Sequence, residues 1–439
     1  MSLSHDLTIG RSYLNQSLVL QVGPRHDGPM TTARTLWNRS FLLWLFATAQ
    51  SRMGSALSGI ALSFLVLGQT GSARATALTL ACALAPNLLM PLMGAWVDRV
   101  PLKLPLIGAA LAQGLLQVTV GGLALAWGEV PLWAVNGAAL LSGLANAFAQ
   151  PAGSAAVPAL VPANQLARAN GLLGSVSQGA WLLGTLAGGW LVAALSPAVA
   201  IGLDGVSFLL MAGLLTQVVL PQTRGSAGAG PGLLADLRAG LQLMRRSITL
   251  SFTPLIGLLL NATLAPLLVV VPKLMLTLGA GAQGYGAFLA LEAAGMVAAG
   301  VLFTVLGNRL PVRRATAAGL LLTAVTYGAM WAWPVLPVVL TGSAVLGLGF
   351  GILNTPLNTL LQQLVPGEYL GRVFSVLGMV SSIGMPLSLL LMSPWLDRVP
   401  VPMWFAAAAC LQGLGAVAWI LVVHSERQLP DLHTAEASG

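Results

Sequence analysis

The chain has 439 residues, of which 56% are hydrophobic and only 7% are charged, and its mean hydropathy is +0.84. A soluble domain carries roughly 25% charged residues and cannot hide this much apolar surface, so the composition excludes a soluble protein. The net charge of +8 does not indicate a nucleic-acid partner, because the basic residues are scattered through short loops and form no patch. Cys82 and Cys410 lie in apolar runs without metal-ligand spacing, so neither a metal nor a cofactor is expected.

Residues 1–39 are polar, lack the apolar core of a signal peptide and are predicted to be a disordered cytoplasmic tail. Beyond them, apolar runs rich in Leu, Ala and Gly recur between charged clusters, and each is about the 20 residues that a membrane-spanning helix needs. The runs are unbroken and lack the alternation of a membrane β-barrel. Twelve spans are predicted, at 40–67, 74–96, 104–126, 132–156, 169–195, 198–220, 249–276, 284–306, 315–333, 336–360, 371–393 and 402–423.

The longest internal connection, residues 221–248, separates six predicted spans from the other six. It begins with a Gly-rich stretch and continues with apolar residues at helical spacing, which indicates a cytoplasmic linker with a surface helix. The predicted domains are therefore an N-terminal six-helix bundle (40–220), a C-terminal six-helix bundle (249–423) and a cytoplasmic C-terminal tail (424–439).

An internal repeat relates the two predicted halves. Residues 98–103 read DRVPLK and residues 308–313 read NRLPVR, at an offset of 210. A second pair, Val161-Pro162 with Arg168 and Val365-Pro366 with Arg372, has an offset of 204. Because six spans separate the copies, both halves keep one orientation and form a parallel repeat with a pseudo-two-fold axis along the membrane normal. This is a transporter architecture, with a site expected between the halves.

The distribution of basic residues predicts the orientation. All but four of the 20 Lys and Arg residues fall on the side of the N-terminus, and the exceptions are Arg52, Arg74, Lys273 and Arg398. Cytoplasmic loops carry the excess of Lys and Arg, so both termini are expected in the cytoplasm of a multi-pass inner-membrane protein.

The loop after the second predicted span, GAWVDRVPLK at 94–103, resembles the signature G-x-x-x-D-R-x-G-R-K of the major facilitator superfamily. Pro101 and Leu102 replace the signature's second Gly and its second Arg. The resemblance implies that Asp98 faces the positive N-terminus of span 11, near Arg372, and latches the halves on the cytoplasmic side. The remaining residues of this gate motif, whose basic members also fit ordinary topology determinants, are Gly94, Arg99, Lys103, Asn308, Arg309 and Arg313.

Three further stretches, 160–178, 202–210 and 361–378, are similar to the bacterial branch that contains the enterobactin exporter and macrolide efflux proteins, which implies export. The resemblance covers about residues 40–423. In the fifth span, Gly184, Gly188 and Gly189 resemble the antiporter motif G-P-x-x-G-G with Thr in place of Pro; they also fit a helix-packing surface.

Three acidic or basic residues lie well inside predicted spans, away from their ends, and such residues are functional candidates because burying charge in a bilayer is costly. Glu292 and Arg52 belong to spans that border the central cavity of a two-half transporter, and Asp204 lies nearer the outer end of span 6. Glu292 is predicted either to load and release a proton as its solvation alternates or to form a static ion pair with Arg52. For Asp204 the favoured interpretation is a polar helix anchor.

Polar and aromatic residues inside the spans are candidates for the cavity lining: Gln50, Gln150, Gln178, Trp181, Asn261, Asn354 and Asn358. The sequence has no Walker A motif and no catalytic constellation, which indicates a secondary transporter and no enzyme. A monomer that exports a drug-like or siderophore-like molecule in exchange for protons is expected. The alternatives are a lipid or lysolipid translocator and a uniport or uptake carrier.

Overall fold

A computed structural model describes residues 36–97, 99–220, 238, 241–245, 248–306, 312–365 and 370–426 of the chain. The predicted N-terminal tail up to residue 35, most of the predicted linker helix and residues 427–439 lie outside these ranges. All regular secondary structure in the described ranges is helical.

Thirteen α-helices are described outside the linker, seven before it and six after it, and residues 241–244 within the linker are also helical. The first seven are α1 (Arg39–Thr70), α2 (Ala73–Leu84), α3 (Met90–Val97), α4 (Lys103–Trp127), α5 (Leu132–Leu160), α6 (Leu166–Ala194) and α7 (Pro197–Gln217). The other six are α8 (Ile248–Thr277), α9 (Gly281–Leu306), α10 (Val312–Ala332), α11 (Leu336–Leu364), α12 (Leu370–Met392) and α13 (Val401–Glu426).

A short 3-10 helix, Ala85–Leu89, joins α2 to α3, so the second predicted span is a broken helix. Pro86 stands at its start, and a proline inside a helix removes one backbone donor and crowds the preceding turn. The helix therefore continues through Val97 with a change of winding rather than as one regular element.

Ten of the described helices are long and apolar enough to cross a membrane: α1, α4, α5 and each of α7 to α13. The 29-residue α6 is long enough but less apolar, because it carries Arg168, Gln178 and six glycines. The α2–α3 unit is apolar but is not one continuous helix.

The helices pack in two groups. In the first group, α1 packs against α6 and α7, and α4 packs against α5 and α7. In the second group, α8 packs against α12 and α13, and α11 packs against α9 and α10. Between the groups, α6 packs against α9 and α2 packs against α12. We call the face where α1 ends and α2 begins the outer face, following the predicted orientation, and the opposite face the inner face.

Candidate functional site

The two groups of helices are joined at the outer face by the carboxylate of Asp397, in the turn that precedes α13. This carboxylate accepts hydrogen bonds from Ser72 Oγ at 2.6 Å and from the backbone N–H groups of Ala73 at 2.8 Å and Arg74 at 3.3 Å. Lys273 Nζ, on α8, forms an ion pair with it at 3.1 Å. One side chain thus connects the start of α2 to the second group; we call these five residues the outer latch.

The sequence between α1 and α2 explains why a helix start is available to Asp397. Gly71 has a left-handed backbone conformation, with φ of 64°, and its N–H donates to Leu67 O, which ends α1. Ser72 then caps α2, its Oγ accepting a hydrogen bond from Ala75 N–H. The remaining N–H groups of the first turn have no partner within their own helix, and a helix start attracts anions.

The outer latch also sets the charge state of Asp397. Partial burial alone raises the pKa of this carboxyl group, but the hydrogen bonds from Ser72, Ala73, Lys273 and Arg74 outweigh burial and lower the pKa to about 2. Each of these donors favours the ionised carboxylate. Asp397 is therefore an anion at every physiological pH.

Close packing of α6 against α9 brings the two groups together through glycines. A Cβ atom on Gly189 would lie 2.7 Å from Ala282 O and 2.9 Å from the Cα atom of Gly286. A Cβ atom on Gly286 would lie 2.6 Å from Thr185 O. No side chain fits on either glycine without moving a helix, so this contact requires residues of the smallest size.

The other two glycines of the predicted span-5 motif face a different helix. A Cβ atom on Gly184 would lie 2.5 Å from Met53 O, and one on Gly188 would lie 2.9 Å from the Cα atom of Leu57, both on α1. The motif therefore packs α6 against α1 on one side and against α9 on the other, which is the helix-packing interpretation of these glycines.

The gate motif at the inner face is only partly described. Asp98, Asn308 and Arg309 lie outside the described residues, and so does the side chain of Arg372. Among the described residues, a Cβ atom on Gly94 would have one neighbour within 4 Å, Pro151 Cβ of α5 at 3.8 Å. No described atom of α12 lies within 4 Å of that position.

The basic residues of the gate motif that are described make contacts within their own helix group or face solvent. Lys103 Nζ donates to Thr216 O at the end of α7, at 3.0 Å. Arg99 is exposed, and the backbone carbonyl of the half-buried Arg313 accepts a hydrogen bond from Trp419 Nε1. These positions agree with topology determinants and leave the predicted latch of Asp98 untested.

Glu292 lies near the middle of α9, in a tightly packed apolar surrounding that includes Val271, Tyr285, Tyr327 and Phe405. Its backbone is in close contact with the position of Gly347 on α11. Among the described residues, no hydrogen bond or ion pair reaches its carboxyl group, although the side chain is not fully buried. The group therefore has no fixed partner in this structure.

The structure does not bring Arg52 and Glu292 together. Arg52 is exposed on α1, and its guanidinium is not within ion-pair distance of any acidic side chain that the structure describes. The predicted static pair is absent from this conformation, and an Arg52–Glu292 contact stays a prediction for another step of the cycle.

Asp204 is the most deeply buried of the three ionisable residues, with 1% of its surface exposed. Ser207 Oγ donates to Asp204 Oδ1 at 3.3 Å, and Gly54 of α1 is so close to this oxygen that a Cβ atom there would overlap it. Asp204 therefore lies buried inside the first helix group, against α1.

Three of the seven predicted cavity-lining residues donate a side-chain hydrogen bond to a backbone carbonyl. Gln50 donates to Ser207 O, Asn261 to Gly257 O and Asn354 to Phe350 O. Gln150 is exposed, Gln178 and Trp181 are half-buried, and the side chain of Asn358 lies outside the described residues. The structure does not gather these residues into one site.

A cavity of about 890 Å³ is a groove between α4 and α5 and does not lie between the helix groups. Its lining is almost wholly apolar and includes Trp96 and Phe148, whose rings are 5.2 Å apart in an edge contact. Leu104, Leu115 and Trp133 in this lining are more than half exposed. Exposed apolar side chains on a membrane helix face lipid, so the groove belongs to the lipid-facing surface.

The model of the Major Facilitator Superfamily matches residues 44–389 of the chain and, in a second match, residues 250–436. The chain belongs to the Major Facilitator Superfamily. Its relatives include "Macrolide efflux protein A" of Streptococcus pyogenes, 24% identical over 85% of this chain and 94% of that protein. "Multidrug efflux pump Tap" of Mycobacterium tuberculosis (strain ATCC 25618 / H37Rv) is 28% identical over 84% of this chain and 90% of the pump. The nucleoside transporter NupG has the same fold, with a TM-score of 0.72, 9% identity and coverage of 88% and 99% of the two chains.

Membership of this superfamily makes the chain a multi-pass membrane transporter and not an enzyme. The charge distribution marks Lys273 only as an exception and assigns no role to Asp397, so the outer latch emerges from the structure. A signal was present: residues 397–400 read DRVP, as do residues 98–101 of the superfamily motif.

Proposed function

We propose that this chain exports drug-like or siderophore-like, amphipathic small molecules by alternating access, in exchange for protons. The observation that carries the proposal is the outer latch together with the Gly189–Gly286 contact, which hold the two helix groups together at the outer face. A transporter that alternates needs a closure of this kind at one face while the other face releases it. Two relatives named as efflux proteins support export.

The proposed architecture has twelve spans, comprising the ten helices named above, α6 and the broken α2–α3 unit. They form two six-helix bundles, residues 40–220 and 249–423, related by a pseudo-two-fold axis along the membrane normal. The linker 221–248 and both terminal tails lie in the cytoplasm of a bacterium, and the protein acts in the inner membrane as a monomer. The sixteen to three distribution of loop Lys and Arg supports this orientation.

Proton coupling is assigned to Glu292, with Arg52 as its electrostatic partner in part of the cycle. Glu292 has no fixed partner, lies on a helix that contacts α6 of the other group and is surrounded by apolar side chains. A carboxyl group whose solvation changes between two conformations can bind a proton in one and release it in the other.

Transport in proteoliposomes tests this assignment. With an imposed pH gradient and a radiolabelled macrolide such as erythromycin, we expect the wild type to move the macrolide against its concentration gradient. Glu292→Gln keeps the shape of the side chain and removes the titration, so stimulation by the gradient should vanish. Glu129→Gln, on an exposed outer loop, is the matched control and should transport normally.

Full dependence on the pH gradient in Glu292→Gln would show that the proton travels elsewhere. Macrolide movement that is indifferent to the gradient in the wild type would favour a uniporter. If a fluorescent lysolipid is moved and the macrolide is not, the lipid translocator becomes the better assignment.

A further inference from the structure

A second cavity lies within the first helix group and is partly open. Eight of its nineteen lining residues carry a hydroxyl or amide side chain, and we call it the polar cavity. It measures about 220 Å³ and is bounded by α1, α2, α4, α5 and α7. Its lining includes Thr76 and Thr79 of α2, Ser63 and Ser58 of α1, Gln117 of α4 and Ser142 of α5. At ~30 Å³ for each water molecule, the cavity has room for roughly seven waters.

The polar cavity runs from the outer face toward the middle of the helices. Thr76 is in the first turn of α2, directly behind the latch residues Ser72 and Ala73. Ser58 and Gln117 lie deeper, and Ser58 Oγ donates to Gln117 Oε1 at 3.1 Å. This hydrogen-bonded pair forms the inner part of the cavity lining.

The carboxyl group of Asp204 lies directly beyond that pair, next to the side chains of Ser58 and Gln117. Asp204 Oδ1 accepts from Ser207 Oγ, but Asp204 Oδ2 is buried and has no hydrogen-bond partner. A buried polar atom without a partner is rare in folded proteins and indicates a ligand, a water or a proton that completes it.

No basic side chain on the helices that pack against α7 neutralises Asp204. The helices that pack against α7 carry Arg39 and Arg52 on α1, Lys103 on α4 and Arg168 on α6, and none of them forms an ion pair with Asp204. Arg52 is two residues from Gly54, about 200° around α1 from the side that touches Asp204. A buried carboxylate with neither a cationic partner nor full hydrogen bonding is strongly disfavoured.

We propose that Asp204 is a proton-binding site of its own, loaded from the outer face through the polar cavity and the Ser58–Gln117 pair. A hydronium ion in the cavity gives its proton to Asp204 Oδ2, which leaves a water in the cavity and a neutral carboxylic acid on α7. The site lies within one helix group, so it remains open to the outer face while the latch closes the passage between the groups.

The proposal deepens the proton coupling proposed above, but its test does not use a substrate. Infrared difference spectroscopy of the purified protein in liposomes detects the C=O band of a protonated carboxylic acid. We expect a band that disappears as the pH rises, that is lost in Asp204→Asn and that persists in Glu292→Gln. A band lost in Glu292→Gln and kept in Asp204→Asn would overturn the proton site while leaving the assignment of Glu292 intact.

Two variants that keep Asp204 guard against a folding defect in Asp204→Asn. Ser142→Leu fills the cavity. We expect the band to remain, but exchange of the acid's proton for deuterium, seen as a shift of the band, should slow at least severalfold. Ser58→Ala removes a neighbour of the carboxyl group and should shift the band. Exchange at the wild-type rate in Ser142→Leu would rule out the cavity as the route.

Loss of the band on adding NaCl, but not choline chloride, at constant pH would make the site one for Na⁺ and overturn the proton assignment.

Discussion

The same tetrapeptide, DRVP, occurs at residues 98–101 after α3 and at residues 397–400 after α12, on opposite faces of the molecule. At the outer face, Asp397 binds the start of α2 and Lys273. At the inner face, Asp98 lies outside the described residues, and among those described a Cβ atom on Gly94 would have one neighbour within 4 Å, Pro151 of its own helix group. The structure therefore shows the contact at the outer face, and its counterpart at the inner face stays a prediction. Two equal motifs on opposite faces offer each conformation its own closure.

The difference teaches what such a motif needs in order to act. An aspartate after a helix latches only when the start of another helix stands within hydrogen-bond distance of it. At the outer face, Gly71 and Ser72 provide that start by ending α1 and capping α2 within two residues. At the inner face, the predicted counterpart is the start of α12, near Arg372.

The largest expected effect comes from removing the outer latch. Asp397→Ala removes a partly buried charge–helix contact and an ion pair, together worth about 1–3 kcal/mol, so the closed outer face should lose about 5- to 150-fold in population. Spin labels at Glu129→Cys and Trp333→Cys, on outer loops of the two groups, report the separation by pulsed electron resonance in a variant lacking Cys82 and Cys410. An unchanged distance distribution would show that the latch does not hold the face closed.

Asp98→Asn should act in the opposite direction and less strongly. If Asp98 closes the inner face in the other conformation, its loss removes roughly 0.3–1 kcal/mol, or up to ~2 kcal/mol when partly buried. The population with the outer face closed should then rise severalfold in the same spin-label experiment, and transport should fall. Normal transport together with an unchanged distribution of spin-label distances would show that Asp98 is not a latch. The DRVP sequence at the inner face would then be only a topology determinant.

A smaller effect is expected from Lys273→Gln. The ion pair is about one-third exposed on both sides, and exposed pairs contribute about 0.2–1 kcal/mol, so the closed population should change by no more than about fivefold. Because salt screens exposed charges, the difference from wild type should shrink at high ionic strength. Arg398→Gln is the matched control, since Arg398 is exposed on the same face and forms no ion pair among the described residues.

The helical class, the membrane setting and the superfamily were predictable, because apolar length and the motif around Asp98 are local properties of the chain. The outer latch was not, because Ser72 and Asp397 are 325 residues apart and only the packing of α2 against α12 brings them together. Asp204 was identified as an ionisable group, yet its burial behind Ser58 and Gln117 depends on how α1, α4 and α7 meet. The glycines of α6 were predicted as a motif, but that they face two different helices is a tertiary fact.

The smallest expected effect is that of pH on the population with the outer face closed. Protonation of Asp397 should change this population only in acid and not near neutral pH. The latch lowers the pKa of Asp397 from 3.8 to about 2, and an open outer face would return it toward 3.8. The open state therefore binds the proton more tightly, and linkage favours the closed state fully above about pH 4, with the benefit lost as the pH falls toward about 2. Between about pH 5 and 8, Asp397 stays ionised in both states. The separation of the spin labels should therefore show no pH dependence that comes from Asp397. Asp397→Asn should shift the population by the same factor throughout this range. A wild-type titration within it that survives in Asp397→Asn belongs to another group, and its loss in Glu292→Gln or Asp204→Asn would say which carboxyl group couples protons to the opening of the outer face.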